Sequence, residues 1–119
     1  MIQNDETFET FKTEADNDNI NATFHYAVML ENGEGVSMNK EEASRYYKMA
    51  ADKGNIDAMF YYALMLQNGE GVQMNKEEAS RYYKMAADQG NIDAMNNYAK
   101  MLDNGEGVQM NKEEASRYY

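Results

Sequence analysis

Few residues in this chain could do chemistry, and most of them recur. His25 is the single histidine, glutamate pairs stand at Glu41-Glu42, Glu77-Glu78 and Glu113-Glu114, and an acidic run occupies Asp16-Asn17-Asp18-Asn19. A general base at His25 would need a hydroxyl or thiol and an orienting carboxylate beside it. Its neighbours within one helical turn, Asn21, Ala22, Val28 and Met29, supply neither, so His25 reads as a surface or groove residue. A calcium loop starting at Asp16 would need glycine in sixth place and glutamate in twelfth. Those places hold Asn21 and Ala27, and the motif fails. The glutamate pairs open each of three predicted helices, where capping and helix-end electrostatics account for them without acid and base catalysis.

The Gly-x-Gly segments at Gly33, Gly69 and Gly105 suggest phosphate binding. Each follows a predicted helix, lacks a Lys-Ser or Lys-Thr ending, and places Glu34, Glu70 or Glu106 where it would repel phosphate. There is no cysteine, which removes disulfides, thiolate metal sites and cysteine nucleophiles. The expectation is a protein without catalytic residues, metal or cofactor.

Across 119 residues, 21 acidic and 11 basic side chains give a net charge of -10. That balance argues against bare DNA or an anionic membrane and suits neutral or basic partners. Arg45, Arg81 and Arg117 stand four residues after Glu41, Glu77 and Glu113, which predicts paired surface charges and no open basic stripe for nucleic acid. No apolar run approaches the roughly 18 residues of a membrane helix. Met1 to Glu14 lacks the features of a signal peptide, and with the missing cysteines this slightly favours the cytoplasm. The sequon Asn21-Ala22-Thr23 would matter only in a secretory pathway.

The elements that must position any site are repeats. Asn32-Gly-Glu-Gly-Val36 returns at Asn68 to Val72 and at Asn104 to Val108, 36 residues apart each time. The chain is therefore an array of units at 19–54, 55–90 and 91–119. In the first, Ala22, Tyr26, Met29 and Leu30 recur at helical spacing, predicting helix A from Asn21 to Glu31 behind an Asn19 cap. Gly33 is the expected stop, with Val36 folding back as a plug. Asn39 and Glu42 stand at the spacing of a capping box and open helix B, about fourteen residues ending near Gly54. Ala43, Tyr46, Tyr47, Ala50 and Ala51 form its buried face. Short connections make the two helices antiparallel neighbours, and stacking of such hairpins makes a solenoid.

Residues 3–18 align with 39–54 and are expected to form an atypical capping helix, with Phe8 and Phe11 covering the end of the array. The third unit stops midway through helix B at Tyr119, so a longer parent array is expected. The oligomeric state stays open, with association at the cut C-terminal edge as the contact to watch.

The unit resembles the Sel1-like repeat, a relative of the tetratricopeptide repeat. The resemblance rests on Ala58, Met65, Gly69-x-Gly71-Val72, Asn75, Ala79, Tyr83, Ala86-Ala87 and Gly90, with counterparts in register in the flanking units. Tyr62 and Ala63 depart from the family's usual leucine and glycine, and Leu66 from its frequent tyrosine. The resemblance implies an all-α, right-handed superhelical solenoid acting as a scaffold or adaptor for proteins or peptides, with helix A on its concave side.

Helix B is nearly unchanged between units, whereas helix A changes on one side. Phe60, Tyr61, Leu64 and Gln67 become Asn96, Asn97, Lys100 and Asp103, while the core stripe persists. Residues fixed by packing must recur in every unit; residues facing solvent or ligand need not. The candidate partner-binding stripe is therefore Phe24, His25, Val28, Phe60, Tyr61 and Leu64, ending in polar Asn96, Asn97 and Lys100. Two other readings compete with a peptide or partner helix on this face: a structural spacer with no groove ligand, and a small polar-ligand or glycan module built on Tyr61, Asn97 and Lys100.

Overall fold

The computed structural model describes residues 2–17 and 19–119, with side chains from Glu9 onward apart from residue 18. Seven helices run through the described residues: α1 Ile2–Asp16, α2 Ile20–Asn32, α3 Lys40–Asp52, α4 Ile56–Asn68, α5 Lys76–Asp88, α6 Ile92–Asn104 and α7 Lys112–Tyr118. Each packs on the next in chain order, giving paired antiparallel helices in an all-α solenoid. The array is elongated, 53 × 24 × 20 Å.

Helix A of the three units is α2, α4 and α6, and helix B is α3, α5 and α7. Asn19, Asn55 and Asn91 cap the A helices by accepting from the N–H of Ala22, Ala58 and Ala94 at 2.9, 2.8 and 2.8 Å. Helix A is 13 residues, longer than expected at both ends, because it starts directly after its cap and runs to the left-handed Gly33, Gly69 or Gly105. Helices α3 and α5 are also 13 residues, one shorter than expected; the Lys53 N–H already turns back to the carbonyls of Met49 and Ala50.

Two local expectations are corrected. Asn39 does accept from the Glu42 N–H at 3.0 Å, but the reciprocal half of a capping box does not form. The Asn39 N–H instead donates to the Leu30 carbonyl at 2.8 Å, pulling the loop back onto helix A, and Asn75 and Asn111 repeat this with Leu66 and Leu102. Nor do Glu41 and Arg45 make the expected pair. Helical ion pairs at that spacing form instead between Lys48 and Asp52 and between Lys84 and Asp88, both at 3.0 Å, and between Lys12 and Asp16 at 3.9 Å, all about half exposed, where they contribute little.

The core alternates small and large. Ala43, Ala50, Ala58, Ala63, Ala79 and Ala86 are fully buried, letting helices approach while Tyr26, Tyr47, Tyr83, Met65 and Leu66 fill the space between them. Val36, Val72 and Val108 pack half-buried against this core, as a plug should.

Units are joined by two devices. In the first, the loop of one unit lies directly on the start of the preceding helix B, so a Cβ at Gly71 would overlap the Lys40 carbonyl and one at Gly107 the Lys76 carbonyl. The buried Ser44 hydroxyl donates at this seam, 2.7 Å from the Glu41 carbonyl and 3.1 Å from that of Gly71. In the second, a tyrosine of helix B reaches an aspartate of the preceding unit. Tyr82 donates to Asp52 at 2.7 Å and Tyr118 to Asp88 at 2.8 Å. Tyr46 makes the same bond to Asp16 at 3.3 Å, so α1 occupies the place of a preceding helix B. Ala15 is fully buried there and Phe11 packs half-buried against the core, whereas the side chains of Phe8 and Asp18 lie outside the described residues.

Two glycine substitutions separate backbone strain from unit contact. Gly54 has φ +107 with open space around its missing side chain, whereas Gly71 has φ +71 and the Lys40 carbonyl in the way. Gly54→Ala is expected to cost about 1–2 kcal/mol from the backbone alone. Gly71→Ala is expected to cost about 3 kcal/mol or more, because unit two must lift off unit one. Urea unfolding of the two variants, compared at equal m-value, measures the difference.

Candidate partner-binding site

The second tyrosine of each helix B holds the A helix of its own unit. Tyr47 and Tyr83, at 1% and 0% exposure, donate their hydroxyls to Glu31 and Gln67 at 2.6 Å, and Tyr119 donates to Asp103 at 2.8 Å. Glu31, Gln67 and Asp103 differ in charge and length but each offers an acceptor oxygen, and that is what the position demands. Gln67 thus belongs to a buried-tyrosine contact and Asp103 to the same contact with the exposed Tyr119, although their variation between units resembles that of a free surface. Burial pushes the Tyr47 phenol far above its ordinary range, with the bond to Glu31 and its charge adding to the effect. Burial likewise raises Tyr83 to about 12, while the amide of Asn97 pulls the other way.

Above these buried rings the predicted stripe forms a continuous aromatic run. His25 sits 5.4 Å from Phe11 and 5.6 Å from Phe24, measured between ring centroids. Phe24 lies 5.9 Å from Tyr47 and 6.0 Å from Tyr61 of the next unit. Tyr61 stacks on Tyr47 at 5.7 Å with 22° between ring planes, touches Phe60 at 5.3 Å, and Phe60 reaches Tyr83 at 5.9 Å. The run therefore crosses from α1 through unit one into unit two.

The predicted residues do not share one environment. Tyr61 is exposed at 39%, and His25, Asn96 and Lys100 are exposed as well. Phe24, Val28, Phe60 and Leu64 are half-buried against the core, so they contribute to both packing and surface. Asn97 is half-buried and stands in the place that Tyr61 holds one unit earlier, so the run of rings does not continue along unit three. The sequence reading missed Tyr47, Tyr83 and Glu31 as parts of this face. The signal that could have found them is the 16-residue offset between each tyrosine and its acceptor, present in all three units.

A second feature escaped the sequence reading. A shallow trough, open to solvent, runs along the starts of the A helices past Ile20, Ile56 and Ile92, with Lys53 and Gln89 on its wall. No closed pocket gathers Tyr61, Asn97 and Lys100 among the described depressions. Among the described residues, no group of three or more His, Cys, Asp or Glu could hold a metal ion, and no helix is long and apolar enough to cross a membrane.

The model of the Sel1 repeat matches residues 20–55, 56–91 and 92–119. The chain belongs to the Sel1 repeat family. Among solved structures, this Sel1 array is similar to a Sel1 repeat protein from Oxalobacter formigenes, with 31% identity and a TM-score of 0.84 over 87% of this chain and 42% of that one. It is also similar to c5321, a protective antigen of uropathogenic Escherichia coli strains displaying an SLR fold, with 28% identity and a TM-score of 0.87 over 92% of this chain and 23% of that one. Cysteine rich protein B of Helicobacter pylori shares the fold at 23% identity and a TM-score of 0.70, over 73% of this chain and 65% of that one. The Sel1 array thus spans less than two thirds of the length of each. No curated protein matches the sequence. Sel1 and related repeats generally mediate protein–protein interactions and are typically non-catalytic scaffolds.

The buried phenols make stability depend on alkaline pH. Tyr83 titrates near 10 when unfolded and at about 12 when folded, so the folded state holds the proton more tightly. Its contribution is fully present below pH 10 and is lost as pH rises from 10 to 12. The expected result is a flat unfolding free energy between pH 7 and 9.5 and a decline above it. Tyr83→Phe should lower stability by about 1–2 kcal/mol at pH 8, because Gln67 loses its partner, and should flatten the alkaline slope. Urea titrations at each pH, with tyrosinate absorbance, measure both.

Proposed function

We propose that this Sel1 array is a protein-interaction scaffold whose ligand, an extended peptide or a partner helix, lies on the helix-A face. The observation that carries the reading is Tyr61: a large ring, exposed at 39%, held rigid by stacking on the buried Tyr47 and flanked by Phe24 and Phe60. An aromatic ring already immobilised loses little entropy on binding and offers apolar area to a partner. Half-buried Val28 and Leu64 extend the apolar surface, and the exposed Asn96 and Lys100 give it a polar end. Apolar anchors with a polar margin suit peptide recognition along a groove. By resemblance to the family this face is the concave one, which would wrap such a ligand.

Spacer and polar-ligand readings have less support. A spacer gives no reason for an exposed tyrosine stacked across two units, and a glycan or small polar ligand would want an enclosed set of amides and hydroxyls.

The test is affinity capture with the array against a Tyr61→Ala, Leu64→Ala double variant that retains its helicity and melting temperature. Loss of a specific partner, with at least about a tenfold fall in affinity, is expected if Tyr61 is an anchor. Retention of the same partners with undiminished affinity would move the site to the trough beside Ile56 or to the outer helices.

A further inference from the structure

The helix-A face is not electrically neutral, and in the first unit, where the exposed rings gather, one carboxylate is held in place. Helices α2 and α4 contain no lysine or arginine, and the basic residue of α6 is Lys100 in the third unit. In the first unit the Tyr47 hydroxyl pins Glu31 Oε1 at 2.6 Å. The carboxylate is thereby held at the hydroxyl end of the ring on which Tyr61 stacks, with Phe24 6.0 Å from Tyr61 on the same face. Resting on the helix-A reading above, we propose that the docked segment is a peptide carrying an arginine, seated on the first unit with its guanidinium plane over Tyr61 and Phe24 and its N–H donors on Glu31.

The chemistry of the three parts selects this side chain. Tyrosine and phenylalanine faces attract cations through the ring quadrupole, and a planar guanidinium can stack on them while directing its donors sideways. An ammonium is a compact, strongly hydrated charge that cannot do both at once. A carboxylate oxygen already bound to a phenol keeps its second oxygen and its charge for an incoming donor, in a position set before the ligand arrives. A chain of net charge -10 favours encounter with a basic segment.

The second unit lacks this charge. Phe60, Tyr83 and Gln67 take the places of Phe24, Tyr47 and Glu31, and the Tyr83 hydroxyl meets Gln67 at the same 2.6 Å, but the acceptor there is a neutral amide and Asn97 stands where Tyr61 would stack. The third unit has a carboxylate at the same place, Asp103 bonded by Tyr119 at 2.8 Å, but Asn96 and Asn97 replace the rings a guanidinium would stack on and Lys100 would repel a basic residue. The difference between units sets the polarity of the ligand, with its arginine over unit one and a neutral or acidic portion toward unit three.

The array itself supplies the control. Glu31→Gln installs the residue that unit two already carries in the same bond to tyrosine, so charge is removed while the packing is kept. Random peptides displayed on phage are selected on the intact array, and the enriched sequences are synthesised. The expected peptides share an arginine beside apolar residues. Glu31→Gln, or citrulline in place of that arginine, should each weaken binding at least about tenfold, as loss of a charge-assisted bond does. The two changes together should cost little more than either alone. Gln67→Glu should strengthen peptides bearing a second arginine.

Peptides lost with Tyr61→Ala that are indifferent to citrulline and to Glu31→Gln would overturn the arginine assignment while leaving the groove standing. Peptides that tolerate lysine in place of arginine without loss would also overturn it, reducing the site to bulk charge. Selected peptides indifferent to Tyr61→Ala would sink this inference and the helix-A site together.

Discussion

Everything in this array depends on how closely one loop can lie on the helix before it. Gly71 and Gly107 bring the backbone of one unit against the Lys40 and Lys76 carbonyls of the last, at a separation that leaves no room for a Cβ. That approach sets the distance between hairpins and therefore which side chains can touch across them. Ser44 and Ser80 satisfy the carbonyls drawn into the seam, bonding Gly71 and Gly107 at 3.1 and 3.3 Å. The nearby pairs of Lys40 with Glu70 and Lys76 with Glu106, at 4.0 Å and half exposed, add little, so fit at the seam outweighs charge.

With that spacing set, the two adjacent tyrosines of helix B divide the work. Tyr46, Tyr82 and Tyr118 point along the array, meeting Tyr26, Tyr62 and Tyr98 edge to face and bonding an aspartate one unit back. Tyr47 and Tyr83 point across the hairpin and fasten helix A through a polar side chain. Neighbouring helical positions are about 100° apart, so one dipeptide can serve both directions. Helix B is then fully committed to holding the array together, which explains why its sequence barely differs between units. Helix A, with one stripe in the core and the opposite side free, is where units can diverge at small cost in stability.

That division also shapes the candidate binding face. The rings of Phe24, Tyr61 and Phe60 are exposed only in part because each leans on a buried tyrosine. The same contacts that support the array therefore pre-organise the surface. Replacing Tyr47 would disturb both, whereas Tyr61, the exposed member of the stack, can be changed with far less consequence for folding. The acceptors Glu31 and Gln67 show a further economy: either oxygen satisfies the buried phenol, leaving the charge of each unit free to vary.

The sequence by itself determined the repeat, the helix caps, the buried stripes and the family, because these follow from local spacing and from what every unit must share. Ala58, Tyr62, Met65 and Leu66 could be read as core from periodicity alone, and Asn55 as a cap from its place before the first apolar residue. Other features needed the fold. The Asn39-x-x-Glu42 spacing fits a capping box, yet the Asn39 N–H prefers Leu30, a carbonyl brought to it by the loop. Gln67 looks like a surface residue until Tyr83, 16 positions later, is seen beside it. The stacking of Tyr61 on Tyr47, the reach of Tyr82 to Asp52 and the steric need for Gly71 all join residues of different units. Local sequence fixes which face of a helix is apolar; only the packing of one hairpin on the next decides which partners that face will meet.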